Sequence, residues 1–314
     1  MIWGGVSGTY LGKSGVAIFF EISGFILFEK YYYGTEKKQL PYIRFVLKRL
    51  LRLYIPLLFT LGIGVAVGWI SIWNMVRQVF MMIGYSHLWI LPIEVLFYTM
   101  FPLLVSVVRR VGEEKGKVII MMVIIFSWAC YICAPEKVGT NVLSMQIILL
   151  GIFVSMIYHD ENKEKNLRRF FVQNYSVWYL LLFAIIGFES FGVLAYTFIG
   201  TEGSLISVLM LKYNEIFRFI IGPCIFVAAF CAILESQSVQ RKLSKMNFLI
   251  RFGEISYSFY LIHYIILKRC VTVMRYYQLP QWAVVVLMFA TSYVAAEIMH
   301  LTLERLAAVL AKKL

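Results

Sequence analysis

Ser86 to Pro102 reads SHLWILPIEVLFYTMFP, apolar enough for the start and middle of a transmembrane helix, yet it carries Glu94 among apolar neighbours. A carboxylate inside hydrocarbon costs a few kcal/mol, so an ionisable residue at such a position marks a site or a pathway by default. At helical spacing His87, Leu91, Glu94 and Tyr98 share one face. That spacing predicts a polar stripe turned into the protein while Trp89, Ile93 and Phe97 turn elsewhere. Pro92 removes a backbone donor, so a local kink is expected beside Glu94. Two readings of Glu94 stand at this point. It pairs with a nearby Arg or Lys, or it serves chemistry.

The same apolar character extends in both directions from this stretch. Of the 314 residues 61% are hydrophobic and only 15% charged, and the mean hydropathy is +0.78. A soluble domain is about 45–50% apolar and about 25% charged. Nine runs can cross a bilayer core of about 30 Å: 15–33, 53–72, 88–109, 117–134, 140–158, 176–200, 215–235, 252–275 and 282–304. The expected fold class is therefore all-α, a polytopic integral membrane helix bundle of about nine transmembrane helices. It forms a single membrane domain over residues 1–314, with no soluble domain. Long apolar runs argue against a β-barrel, whose strands alternate in short segments. The first fourteen residues, MIWGGVSGTYLGKS, are Gly-rich and read as a loop, neither a signal peptide nor a span.

The net charge of +13 does not point to nucleic acid, because the cations fall between apolar runs. One set of connections carries 21 Lys and Arg, and the alternate set carries five. The positive-inside rule places the first set, and the C-terminus, in the cytoplasm. Met1 is then outside, which for nine spans without a signal peptide leads us to expect one further helix upstream. The five Cys lie in or at the ends of apolar runs, and the Cys130–Cys133 pair has no second pair to complete a zinc site. The one Asp, Asp160, lies in a polar loop, which argues against metal-dependent sugar transfer; no metal is expected.

Other polar positions invite the same double reading. Glu21 is a second intramembrane carboxylate, followed by Ser23 and by Gly24, which would let another helix approach closely. In YIRFVLKRLLRLYIP, Arg44, Lys48 and Arg52 recur every fourth residue, with Arg49 three before Arg52. This segment reads either as an interfacial amphipathic helix on anionic lipid headgroups or as a phosphate clamp for a cytosolic ligand. A Glu189–Arg218 pair is possible by position. Ser256, Tyr260 and His263 share a helix face, as do Glu297, His300 and Glu304, with Glu304 expected to pair with Arg305.

Four blocks together resemble one family. GKSGVAIFFEISGFILF, KRLLRLYIP, HLWILPIEVLFYTMFPLL and FGEISYSFYLIHYIIL occur in the order, and with the residues, of the membrane-bound acyltransferase family 3. The resemblance implies a ten-helix membrane enzyme that moves an acyl group, often acetyl from cytoplasmic acetyl-CoA, onto a cell-surface glycan or its lipid-linked precursor. It implies that Arg49 and Arg52, with Arg44 and Lys48 beside them, hold the acyl-CoA. Glu94, His263 and Ser23 match family motif positions and become the candidate catalytic residues. The family begins with a helix bearing an Arg and a His thought to be the base, and no counterpart is found in this sequence. Glu21 also stands where the family has an apolar residue.

The expected function is a membrane O-acyltransferase working in a bacterial-type plasma membrane, by direct transfer without an acyl-enzyme. A transporter or flippase for a lipid-linked sugar is the alternative, although the paired broken helices of such proteins are not seen. An inactive truncated acyltransferase is another. Of the four His, His159 lies in a cytoplasmic loop and His300 in no family block. His87 starts its span about 10 Å along the helix axis from Glu94. Only His263 matches a histidine of a family motif, and at a different place from the expected base.

Overall fold

A computed structural model describes residues 9–34, 41–82, 84–133, 140–159, 225–226, 229–230, 233–234, 236–278 and 280–314. At 9–15, 132, 140–143 and 281 only the backbone is described. Among the described residues there is no strand. The helices are α1 (Thr9–Phe28), α2 (Tyr42–Ala66), α3 (Ile72–Val79), α4 (Ile90–Val111), α5 (Glu113–Cys133), α6 (Thr140–Tyr158), α7 (Gln237–Leu243), α8 (Asn247–Tyr277), α9 (Gln281–Met299) and α10 (Arg305–Lys313). A π-turn, Glu29–Tyr33, follows α1, and another, His300–Glu304, joins α9 to α10. The protein is an all-α membrane helix bundle. Three of its described helical stretches are long and apolar enough to cross a membrane: Tyr42–Ala66, Ser86–Val111 and Trp282–Lys313.

Several boundaries differ from the sequence expectation. Helix α1 starts at Thr9, inside the stretch expected to be a loop. Backbone groups at a bilayer are best satisfied within a helix, and that outweighs the low propensity of Gly12. The basic segment is not a separate interfacial helix but the first turns of α2, which is continuous from Tyr42. α2 ends at Ala66, short of residue 72, and two residues on Gly68 turns the chain with a φ of +70° that a side chain would strain. Pro92 causes no loss of helical bonding, because it is the third residue of α4, where no carbonyl four residues back awaits its N–H. Pro56 and Pro102 sit inside helices instead. The spans expected over 176–200 and 215–235, and the Glu189–Arg218 pair, lie outside the described residues, except for helical positions 225–226, 229–230 and 233–234.

The chain divides into two compact units. The first comprises residues 1–39 and 103–242. Its centre is the contact of α1 with α6, with α5 packed on α6. Gly24 and Gly151 make that contact possible. A methyl at Gly24 would strike the Ile148 carbonyl, and one at Gly151 the Glu21 carbonyl. The close approach expected of Gly24 is thus realised. Phe20 and Phe28 on α1 and Ile147, Ile148 and Ile152 on α6 are fully buried. At one end of this unit Glu29 accepts hydrogen bonds from Ser155 Oγ (2.7 Å) and pairs with His159 Nε2 (2.8 Å). Tyr33 stacks on His159 and donates to Glu113 (2.6 Å), which Lys117 approaches at 3.5 Å.

The second unit comprises residues 40–102 and 243–314 and carries most of the candidate residues. Phe45 stacks on Phe101 and Arg49 lies over Tyr98, while Trp69 at the far end meets His87. Helices α2 and α4 are therefore antiparallel. Tyr257 donates to the Leu53 carbonyl (2.7 Å) and Arg269 to the Val67 carbonyl, so α2 and α8 run in the same direction. Helices α8 and α9 form a hairpin through Gln278, whose left-handed φ of +53° ends α8. Arg251 grips Glu297 and reaches Glu254 (2.7 Å). α10 packs back on α2.

Candidate active site

The site is best built from α4 outward. Leu88, Leu91, Ile93, Phe97, Tyr98 and Phe101 are all buried, while Leu96, Met100 and Leu103 are exposed and form the apolar outer face. Ile93 and Phe97 therefore do not turn away from the protein as the stripe alone suggested. An apolar stripe of this width buries its flanks as well as its centre. Glu94 is buried, 7% exposed, and accepts a hydrogen bond from Tyr98 Oη one turn on. Its charge neighbour is Arg49, whose guanidinium lies 5.6 Å from the centroids of both Tyr98 and Phe45. The pairing reading is met only in part. Arg49 lies within electrostatic reach, but the hydrogen bond comes from a tyrosine.

The four cations of α2 separate by helical angle. Arg44 and Arg52 are exposed, Lys48 between them is half-buried on the same face, and Arg49 turns in toward α4. Arg49 and Arg52, one motif in the sequence, thus meet different surroundings. Among the described residues, Arg44, Lys48 and Arg52 form no ion pair. Free Arg forks and a Lys ammonium on one face suit phosphate oxygens, whether of an acyl-CoA or of lipid headgroups.

Beyond Glu94, α8 supplies the rest. Tyr257 and Tyr260 both lie within electrostatic reach of Glu94. Tyr260 Oη donates to the His87 carbonyl, and its own carbonyl lies 2.8 Å from His263 Nδ1. The Phe259 carbonyl is 3.2 Å from the same nitrogen. A carbonyl only accepts, so His263 carries its proton on Nδ1 and leaves the Nε2 lone pair open. His87 is the mirror case. Its Nε2 meets the Leu261 carbonyl at 3.2 Å, so the proton is there and the buried Nδ1 lone pair has no hydrogen-bond partner among the described residues. The two imidazoles are edge-to-face with centroids 5.1 Å apart.

His87 is the residue that sequence reasoning set aside. Its distance from Glu94 along α4 is real, but the imidazole it meets, His263, is on α8, and no spacing within one helix reports that. Ser256 donates to the Gly253 carbonyl of its own helix. Glu304 does not pair with Arg305. It accepts from buried Ser258 and from His300 Nδ1 (2.8 Å), because the π-turn rotates its carboxylate toward α8. Ser23 belongs to the first unit, half-buried on α1. Glu21, on the same helix, is 3% exposed, and its Oε2 has no hydrogen-bond partner among the described residues. Among the described residues no group of His, Cys, Asp or Glu could hold a metal ion.

The second unit thus carries cations at one end, a buried carboxylate–tyrosine pair in the middle and a histidine pair at the other end. A family model described as an acyltransferase domain, that of acyltransferase family 3, matches residues 1–299. The chain belongs to this acyltransferase family. It is similar to the proteins named O-acetyltransferase OatA of Staphylococcus aureus strains NCTC 8325, COL and MRSA252. Each is 26% identical over 332 residues, covering 92% of this chain and 51% of the relative. The chain thus spans about half the length of the curated relatives it matches. No solved structure matches it. Of the candidate residues that the four sequence blocks singled out, Arg49, Glu94 and His263 fall in the second unit, and Ser23 in the first.

Proposed function

We propose that this chain moves an acetyl group from acetyl-CoA to a hydroxyl of a cell-surface glycan or of its lipid-linked precursor, within a bacterial-type plasma membrane. Family membership and the relatives' names support O-acyl transfer as the reaction class. The observation that carries the reading further is the polar line through the second unit, from Arg49 past Tyr98 and Glu94 to His263.

The donor's phosphates suit Arg44, Lys48 and Arg52 at the cytoplasmic start of α2. Membrane-lipid phosphates are the competing occupant of the same face. Arg49 holds Tyr98 and balances Glu94. Glu94 in turn sets the environment of Tyr260, whose carbonyl fixes the tautomer of His263. His263 Nε2 then takes the proton of the acceptor hydroxyl as its oxygen attacks the thioester carbonyl carbon. The C–S bond breaks, an ester forms, and the departing CoA thiolate takes up a proton. Tyr98 and His87 are eleven residues apart, about 16 Å at ~1.5 Å per residue, a span suited to the extended arm of acyl-CoA.

Membranes holding the chain are expected to incorporate label from radioactive acetyl-CoA. Arg52→Ala should raise KM for acetyl-CoA by about tenfold with little change in kcat, as expected for one charge-assisted hydrogen bond. His263→Ala should lower kcat by about 10²-fold or more. Absence of acetyl-CoA-dependent incorporation, or full activity in both variants, sinks the reading.

A further inference from the structure

The end of the second unit beyond His263 is built of rings drawn from three places in the chain. The Trp69 centroid lies 5.4 Å from Tyr85, 5.6 Å from His87 and 6.1 Å from Tyr264. His87 lies 4.9 Å from Tyr264 and 5.4 Å from Tyr260. All of these side chains are half-buried.

The arrangement is held from behind. The backbone N–H of Trp69 donates to the Gly64 carbonyl (2.7 Å), and a methyl at Gly64 would meet the Trp69 ring at 2.7 Å. Tyr85 Oη donates to the Trp69 carbonyl (3.1 Å), and its N–H donates to Oε1 of fully buried Gln78 (2.7 Å). Arg269 secures the Val67 carbonyl. A connection between two spanning helices needs none of this. Interfacial Trp and Tyr do form belts, but a belt faces lipid, and its rings have no reason to converge on a histidine.

We propose that this ring set is the acceptor subsite and takes a saccharide ring, with Trp69 as the stacking wall and His87 as a positioning residue. The proposal rests on the acyl-transfer reading above and names the residues that would choose its acceptor. A pyranose presents an apolar C–H face and a rim of hydroxyls. The first suits an aromatic face, and the second suits lone pairs. Two lone pairs sit beside these rings: the partnerless Nδ1 of His87 and the Nε2 of His263, left open by the carbonyls at Nδ1. A sugar hydroxyl can give a hydrogen bond to the first, while the reacting hydroxyl gives its proton to the second.

Two measurements separate this subsite from the donor reading. The first uses purified protein without donor and a tetramer of N-acetylglucosamine as the saccharide probe, read by tryptophan fluorescence. Wild type and Trp73→Ala, an exposed tryptophan of the same connection (70% exposed), should respond alike, and Trp69→Ala should not respond. The second is incorporation of labelled acetyl into the membrane's own acceptors. Trp69→Ala should lower it about tenfold while KM for acetyl-CoA stays within about twofold, and Trp69→Phe should recover most of the loss. A tetramer that leaves wild-type fluorescence unchanged, or shifts Trp69→Ala equally, overturns the subsite whatever the donor assay shows. Equal loss in Trp69→Ala and Trp69→Phe also overturns it, since the tryptophan would then be structural. Failure of acetyl-CoA to label any membrane, with tetramer binding intact and lost in Trp69→Ala, leaves the saccharide subsite standing and refutes acetyl-CoA as donor.

Discussion

Glu94 is where one side chain can test function against stability. A buried carboxylate is costly, and an apolar side chain of similar volume at such a position is often neutral or stabilising. Replacing both partners, Glu94→Leu together with Tyr98→Phe, should therefore melt no lower than wild type in detergent while losing acetyl transfer. Lowered melting with transfer retained would make Glu94 a structural partner of Tyr98 and Arg49. Tyr98→Phe alone tests one half of the pair. It removes the hydroxyl that donates to Glu94, and leaving a buried acceptor unsatisfied costs about 1–3 kcal/mol. That single variant should melt lower than the double one, although the double one loses more side-chain atoms.

At the scale of elements, helix contacts in this protein depend on absent side chains and on π-turns. Gly24 and Gly151 bring α1 and α6 to backbone contact, so Gly24→Ala and Gly151→Ala should each destabilise by about 1–3 kcal/mol. Gly62→Ala, on an open face of α2, should be neutral or slightly stabilising. Detergent melting of the three variants checks both statements. The two π-turns share a pattern. Each contains a glutamate that meets a serine and a histidine: Glu29 with Ser155 and His159, and Glu304 with Ser258 and His300. A π-turn inserts a residue into the helix and so re-aims the side chains around it. Glu304→Ala should lower melting, because it strips buried Ser258 of its acceptor, while Arg305→Ala should not. Equal effects would restore the Glu304–Arg305 pair that adjacency suggested.

For the whole molecule the testable quantity is orientation. By the positive-inside rule, the excess of Lys and Arg on one set of connections leads us to propose that the start of α2 and the C-terminus face the cytoplasm. Lys38→Cys and Lys165→Cys should be shielded from impermeant thiol reagents in intact cells, and Lys137→Cys should be labelled. Labelling at 165 from outside would invert the assignment. It would also place the cationic face of α2 away from any cytosolic donor, so the acetyl-CoA reading depends on this result.

Fold class, membrane residence and family were legible in the sequence, because each rests on local quantities: run length, hydropathy, and short motifs in order. The burial of Glu94 and Tyr98 on one face and the close approach at Gly24 were legible for the same reason, since helical periodicity relates residues within one or two turns. What only the tertiary structure decided lies across the chain. Arg49 parts from Arg52 because α4 packs against one side of α2 and not the other. Pro92 is harmless because the helix begins just before it, which is set by the turn at Ser86–Trp89. His87 finds His263, 176 residues away in the sequence, because α8 runs parallel to α2 while α4 runs against both. Trp69 joins them because Gly64 leaves room for its ring. No spacing in a single sequence reports a contact of that separation. It is set by which helix faces pack together, and it is there that acyl donor and acceptor would be brought within reach of one base.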